Sequence, residues 1–128
     1  MMTRLLGYTA LAVALACGAA QAQTTVKIGV LSDMSSLYAD VGGPGSIAAA
    51  KLAVEDFAKT NKDIKVEIVS GDHQNKPDVG SQIANQWFDV DGVDMIVDVP
   101  NSGVALAVSG VAANKNKVFI GSGPASSD

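Results

Sequence analysis

Apolar residues along the chain fall into short β-branched runs that alternate with longer segments of helical periodicity. The short runs are bounded by polar residues, a pattern typical of buried strands. They predict four strands, at 26–31, 65–70, 95–99 and 117–120. The longer segments predict three helices, at 44–60, 77–89 and 103–114. Pro44 and Pro77 open the first two helices, at a position where the backbone N–H needs no helical partner.

The same periodicity predicts how the elements pack. The first two helices each carry an apolar stripe, formed by Ile47, Ala50, Val54 and Phe57 in one and by Val79, Ile83 and Trp87 in the other. The third helix is almost entirely apolar, which suits a helix packed against a sheet. Regular alternation of strand and helix predicts an α/β fold, in which a parallel sheet is covered on both faces through right-handed crossovers.

Residues 1–22 have the pattern of a cleaved secretory signal peptide. Arg4 provides the positive start, residues 5–16 form an apolar stretch too short to span a bilayer, and Ala20-Gln21-Ala22 is a small-x-small cleavage site. We therefore expect a mature chain that begins at Gln23. Lipid attachment at Cys17 is the alternative, although Ala14 is smaller than the aliphatic residue usual three places before such a cysteine.

Charge and cysteine content narrow the classes of function. The chain has 9 Lys and Arg residues against 13 Asp and Glu residues and a net charge of −4, and the predicted loss of Arg4 makes it more negative. An acidic chain without a basic cluster argues against a nucleic-acid partner. Cys17 is the only cysteine, so the predicted mature chain has neither a disulfide nor a cysteine ligand for a metal.

The loops after the strands are where a ligand is expected. In open parallel α/β sheets, ligands bind beyond the carboxyl ends of the strands. The four loops, at 32–43, 71–76, 100–102 and 121–127, contain serines, glycines, Asn101, Tyr38 and the single histidine, His73. Hydroxyls and backbone N–H groups of this kind can bind a small polar ligand.

Nucleotide binding and catalysis both fit the sequence poorly. Gly43-x-Gly45-x-x-Ala48 approaches the dinucleotide fingerprint, but it begins a dozen residues after the first predicted strand and ends in alanine. Asp72-His73 beside a loop serine is a conceivable part of a catalytic triad, yet no GxSxG elbow is present. We expect His73 to be solvated or structural, and we expect neither a cofactor nor a metal.

Asn101-Ser102-Gly103 marks the best candidate for ligand contact. These residues join a strand to a helix N-terminus, where free N–H groups favour an anion and the Ser102 hydroxyl adds a donor. Ser102 as a simple cap of its own helix is the equally weighted alternative. Two roles are likewise open for Tyr38. Its ring can contact an apolar or aromatic ligand, or it can pack within its own loop.

The ordered segments 26–57 and 93–128 resemble a known family, the periplasmic substrate-binding proteins of the leucine/isoleucine/valine-binding type. The resemblance implies two Rossmann-like lobes that close on a ligand, of which 23–128 corresponds to a truncated first part of lobe one. It implies a solute-binding component of an ABC importer, not an enzyme. It also implies a periplasmic location, an inner-membrane ABC permease as partner and a monomeric full-length protein.

The resemblance also assigns site residues. Ser102 matches the family serine that receives the ligand carboxylate, and Gly123, Pro124 and Ala125 match the turn that contacts the ligand head group. Ala125 lacks the hydroxyl often found there. Val41 falls near the family's aromatic contact in the first loop, where Tyr38 is a possible substitute. The implied ligand is an amino acid or an aromatic or other organic acid, and the alternative is a sensing receptor domain of the same fold.

Overall fold

The computed structural model describes residues 23–126. The predicted signal peptide, Cys17 and the last two residues of the chain lie outside this range. Within it, four strands alternate with three helices in the predicted order. The elements are β1 (Thr24–Ser32), α1 (Gly43–Thr60), β2 (Ile64–Asp72), α2 (Pro77–Asp89), β3 (Met95–Asp98), α3 (Ser102–Asn114) and β4 (Val118–Gly121).

The four strands form one parallel sheet in the order β2-β1-β3-β4. The chain runs from β1 to one side and then crosses back to the other, so the strand order reverses between β1 and β3. Such a reversal point is where doubly wound sheets open a crevice for a ligand. The prediction of an α/β fold with a parallel sheet is confirmed.

The main core lies on the sheet face covered by α2 and α3. Leu31, Ile96, Val93, Val104 and Val108 are fully buried there. Trp87 packs on the same face against Gly29 and Gly71, where an added β-carbon would collide with the indole. The predicted placement of Trp87 in the core is therefore confirmed. None of the helices among residues 23–126 is long and apolar enough to cross a bilayer.

Among residues 23–126, α1 is the one helix on the opposite face, and the covering of this face differs from the prediction. The stripe of α1 lies over the half of the sheet formed by β1 and β2, but Phe57 remains 38% exposed. An apolar groove of about 480 Å³ runs between the helix and strand residues such as Ile28 and Val66. On the β4 side of this face, Val118 and Ile120 are each 53% exposed. The sheet is thus fully covered on one face only.

Candidate functional site

The first loop is built around the buried carboxylate of Asp33. One of its oxygens accepts hydrogen bonds from the backbone N–H groups of Ser35 (3.3 Å) and Ser36 (2.9 Å). The other accepts from the Ser36 hydroxyl (2.6 Å) and from the Tyr38 N–H (2.9 Å). Burial alone would raise the pKa of the Asp33 carboxyl, but these hydrogen bonds hold that pKa below its usual value. Asp33 therefore fixes the loop that presents Tyr38.

Asp72, at the end of β2, fixes the same loop from the neighbouring strand. Its carboxylate accepts from the Met34 N–H (2.9 Å), the Ser35 hydroxyl (2.7 Å) and the Gln74 N–H (2.8 Å). Burial and the charge of Asp33 raise the pKa of Asp72, and the hydrogen bonds from Ser35, Met34 and Gln74 outweigh both and lower it. The first loop is thus held by two carboxylates.

His73 is a structural residue. It is fully buried, its N–H donates to the Ser32 carbonyl (2.9 Å), and its Nδ1 accepts from the Asn75 N–H (3.0 Å). Because Nδ1 is an acceptor, the ring proton lies on Nε2. Burial lowers the pKa of His73 even though nearby carboxylates favour the charged form. Of the two roles predicted for His73, the structure therefore supports the structural one and not the solvated one. The imidazole is enclosed within the protein and does not face a substrate cleft.

Asn101, and not Ser102, caps α3. The Asn101 side-chain oxygen accepts from the Val104 N–H at 2.9 Å, the usual bond from an N-cap to the third helical residue. The Ser102 hydroxyl oxygen instead accepts from the backbone N–H groups of Ala125 (3.0 Å) and Ser126 (3.2 Å). The alternative in which Ser102 only caps its own helix is therefore wrong.

The turn after β4 packs against the start of α3. A β-carbon on Gly123 would lie 3.2 Å from the Pro100 Cα, so glycine allows this close approach without displacing the Pro100 backbone. Pro124 and Ser102 line a recess of about 140 Å³, whose floor includes Ala105 and Phe119. Ala125 is exposed at the rim. Ser102, Asn101 and the turn Gly123–Ala125 therefore lie together in one contiguous region.

Tyr38 and Val41 lie in a different part of the sheet edge that is formed by the carboxyl ends of the strands. Val41 is 78% exposed, and the carbonyl of Tyr38 accepts from the N–H groups of Val41 (3.0 Å) and Gly42 (3.1 Å). Within residues 23–126, no hydrogen bond joins either residue to Ser102 or to the turn after β4. Tyr38 is half-buried in its own loop. Their contact with a ligand stays a prediction.

Asp98 is a residue at this edge that sequence reasoning missed. Its carboxylate accepts from the Ser122 hydroxyl (2.6 Å), and its carbonyl accepts from the Ser122 N–H (3.1 Å). Asp98 and Val99 both have positive φ, 85° and 54°, which is strained for residues other than glycine. An aspartate that ends an apolar strand was the only available signal. No cluster of three or more His, Cys, Asp or Glu side chains in the described part of the chain is arranged to hold a metal.

The fold is that of an α/β lobe with a parallel sheet, and the sequence assigns the family. The profile of the periplasmic binding proteins matches residues 25–128, so this chain belongs to that family. No curated protein sequence matches the chain. Crystal structures of relatives do.

Two of the similar structures come from Burkholderia. A branched-chain amino acid ABC transporter periplasmic ligand-binding protein from Burkholderia xenovorans is 48% identical, with a TM-score of 0.74 over 79% of this chain and 27% of its own. A periplasmic binding protein from Burkholderia mallei is 44% identical, with a TM-score of 0.73 over 78% of this chain and 27% of its own. The present chain thus spans about a quarter of the length of these relatives.

A more distant structure shares the fold. The solute-binding protein of an ABC transporter from Rhodopseudomonas palustris, in complex with 3,4-dihydroxybenzoic acid, is 24% identical. Its TM-score is 0.69 over 78% of this chain and 27% of its own.

Proposed function

We propose that this chain is the first part of lobe one of a solute-binding protein that delivers a small carboxylate to an ABC importer. The observation that carries the proposal is the arrangement around Ser102, where a hydroxyl and two backbone N–H groups meet at the N-terminus of α3. The positive end of the helix dipole and these donors favour a carboxylate over a neutral group.

The Ser102 hydroxyl has a donor to offer. In the described residues its oxygen accepts two hydrogen bonds, and its own hydrogen is not used in any. That hydrogen can be donated to a carboxylate oxygen at the rim of the recess. The N–H groups of Ala125 and Ser126 lie close enough to share their hydrogen bonds with the same ligand.

The ligands of the similar proteins have the same chemistry. Three similar structures, each less than 25% identical to this chain, contain isoleucine, benzoate and 3,4-dihydroxybenzoate, and each of these molecules carries a carboxylate. The feature they share fits the Ser102 site, whereas their side groups differ. We infer that the described lobe recognises the carboxylate and that the remaining selectivity comes from Tyr38, Val41 and a second lobe.

The proposed mechanism is binding and release without catalysis. Lobe one fixes the carboxylate at Ser102 and the turn Gly123–Ala125, a second lobe closes over the ligand, and an inner-membrane ABC permease recognises the closed form. The protein acts as a monomer in the periplasm. It reaches the periplasm by export, during which residues 1–22 are cleaved off. Closure is expected to supply most of the affinity because a small ligand is bound tightly only when most of its surface is buried.

The test compares carboxylates with matched neutral analogues on the full chain. Isoleucine, benzoate and 3,4-dihydroxybenzoate are each measured by thermal shift, alongside benzamide and isoleucinamide. We expect at least one carboxylate to raise the Tm and its amide to have no effect. Ser102→Ala should then weaken the binding of that carboxylate by about tenfold or more, since a hydrogen bond to a charged group contributes about 1.5–3 kcal/mol.

Ser109→Ala is the matched control for Ser102→Ala. Ser109 lies on the same helix and lines the same recess, but its hydroxyl donates to the Leu106 carbonyl (2.9 Å). We expect this variant to bind the carboxylate as the unaltered chain does. Equal affinity of Ser102→Ala and the unaltered chain would contradict the proposal.

A further inference from the structure

Three oxygen atoms converge on one face of Gly42, between the carboxyl ends of β1 and β3. A β-carbon placed on Gly42 would lie 2.8 Å from the Ser32 hydroxyl oxygen, 3.2 Å from Asp98 Oδ2 and 3.3 Å from the Ser46 hydroxyl oxygen. We name these three oxygens the Gly42 cradle. Glycine at position 42 leaves the space in front of them unfilled by any side chain.

One member of the cradle lacks a partner. Asp98 is only 7% exposed, and its Oδ2 atom is buried without a hydrogen bond, while its Oδ1 atom is bonded to Ser122. A buried carboxylate oxygen is costly to leave unpaired. The hydroxyl of Ser32 accepts from the Gly43 N–H (2.9 Å), and no hydrogen bond of the described residues joins the three oxygens to each other. The Ser32 and Ser46 hydroxyls can each donate a hydrogen bond as well as accept one, so the cradle combines one unpaired carboxylate oxygen with two hydroxyl groups.

The surroundings of the Gly42 cradle favour a small hydrogen-bond donor, and they can also accommodate a positively charged one. Asp33, Asp72 and Asp98 all lie at this edge of the sheet, and none of them takes part in the ion pairs of the described residues. His73 interacts electrostatically with all three carboxylates, and burial lowers its pKa below the usual value. Ser32 and Gly42 are buried, whereas Ser46, in the first turn of α1, is half-buried.

We propose that the Gly42 cradle binds one water-sized hydrogen-bond donor, either a water molecule or an ammonium ion, which donates to Asp98 Oδ2. This inference concerns the support of the ligand site and does not depend on which carboxylate is carried. Through Asp98 the bound donor connects the end of the first loop with Ser122 and the turn after β4. It thereby joins the two loops on either side of the point where the strand order reverses.

Crystals of the full chain test the proposal directly. We expect difference density within hydrogen-bond distance of Ser32 Oγ, Ser46 Oγ and Asp98 Oδ2. A soak in rubidium chloride distinguishes the two sources, since rubidium is close to ammonium in size and scatters anomalously. An anomalous peak in the cradle identifies a site for a monovalent cation, and density without an anomalous peak identifies water.

Two glycine variants provide the matched comparison. Gly42→Ala fills the cradle, whereas a β-carbon on Gly45, three residues along, meets no atom within 4 Å. We expect the density to vanish in Gly42→Ala and to persist in Gly45→Ala. In solution, Gly42→Ala should lower the Tm of the full chain by about 2 °C or more relative to Gly45→Ala.

Asp98→Asn separates charge from shape. The amide can still bond Ser122 and can turn its NH₂ toward the cradle, so we expect a water to remain and a rubidium peak to disappear. An empty cradle in unaltered crystals that show ordered water elsewhere at this edge would overturn the proposal. So would a direct hydrogen bond from the Ser32 or Ser46 hydroxyl to Asp98 Oδ2.

Discussion

The hydroxyl of Ser122 donates a 2.6 Å hydrogen bond to the carboxylate of Asp98. The backbone N–H of Ser122 donates a second one, 3.1 Å long, to the carbonyl of the same aspartate. Asp98 ends β3 and Ser122 directly follows the neighbouring strand β4, so this pair fixes how the turn after β4 lies beside α3. The position of the candidate carboxylate site therefore depends on a residue that is not itself part of the site.

Ser122→Ala should weaken both the fold and the site. It leaves the Asp98 carboxylate short of a partner, and we expect a loss of about 1–3 kcal/mol in the free energy of unfolding. Urea denaturation of the full chain measures this loss. Ser70→Ala is the control, because Ser70 is an exposed residue of β2 whose hydroxyl makes no hydrogen bond in the described chain. Equal denaturation midpoints for the two variants would contradict the role assigned to the Asp98–Ser122 bond.

Stability should fall in two stages as the pH is lowered. Burial depresses the pKa of His73 below its usual value of about 6.5, so the unfolded chain binds more protons than the folded one near this pH. The contribution of His73 is then complete above about pH 6.5 and is lost as the pH falls toward the folded-state pKa. The depressed pKa values of Asp33 and Asp72 act the same way below about pH 4.

Urea midpoints measured across this pH range, with one variant for each stage, check the assignment. His73→Gln should flatten the upper stage and leave the lower one in place. Asp33→Asn should reduce the loss of stability in the lower pH stage. Stability should still fall with pH across the upper stage. A chain whose stability rises between pH 7 and pH 5 would show that His73 is stabilised in its charged form, contrary to its burial.

Gly71→Ala should destabilise the sheet through Trp87. The added β-carbon would lie 3.0 Å from the indole Cζ2 atom, tighter than ordinary van der Waals contact. Overpacking of this kind costs about 1–3 kcal/mol. Combining Gly71→Ala with Trp87→Phe should cost less than the sum of the two single changes, because the smaller ring gives the methyl group room. Additive losses in denaturant unfolding would place the cause elsewhere.

Gly110→Ala is the control for Gly71→Ala. Gly110 lies in α3, and a β-carbon there meets nothing within 4 Å. Alanine is favoured over glycine in a helix by about 1 kcal/mol, so this change should be neutral or stabilising.

Asn101→Ala and Asn101→Asp should separate helix capping from ligand binding. Alanine removes the bond to Val104, and we expect a loss of about 1 kcal/mol of stability. Aspartate keeps the cap and suits the helix dipole, but it places a negative charge beside Ser102. Thermal unfolding should therefore rank aspartate above alanine, while carboxylate titration should show weaker binding to the aspartate variant. Unchanged carboxylate affinity in Asn101→Asp would place the ligand away from the start of α3.

The secondary structure was predictable because the apolar runs and proline starts are local signals. Each helix begins within one residue of its predicted start and ends at its predicted residue. The cap of α3 was harder, since Asn101 and Ser102 are both good capping residues and only the position of the turn after β4 decides between them. The roles of Asp33 and Asp98 depend on loops distant in sequence, which periodicity does not reveal. Periodicity likewise does not reveal how exposed the apolar face of α1 is, because this depends on what packs over it.

The central position of β1 governs the order in which the sheet is completed. β1 bonds to β2 through nine residue pairs on one side and to β3 through four on the other. The β2 side closes a local unit, whereas the β3 side waits for residues that come more than 60 positions later, such as Met95 opposite Ile28. During synthesis β1 is therefore made first, and its β3 side stays unpaired until β3 has followed. Backbone amides on the β3 side of β1 should exchange with solvent only when the whole sheet opens.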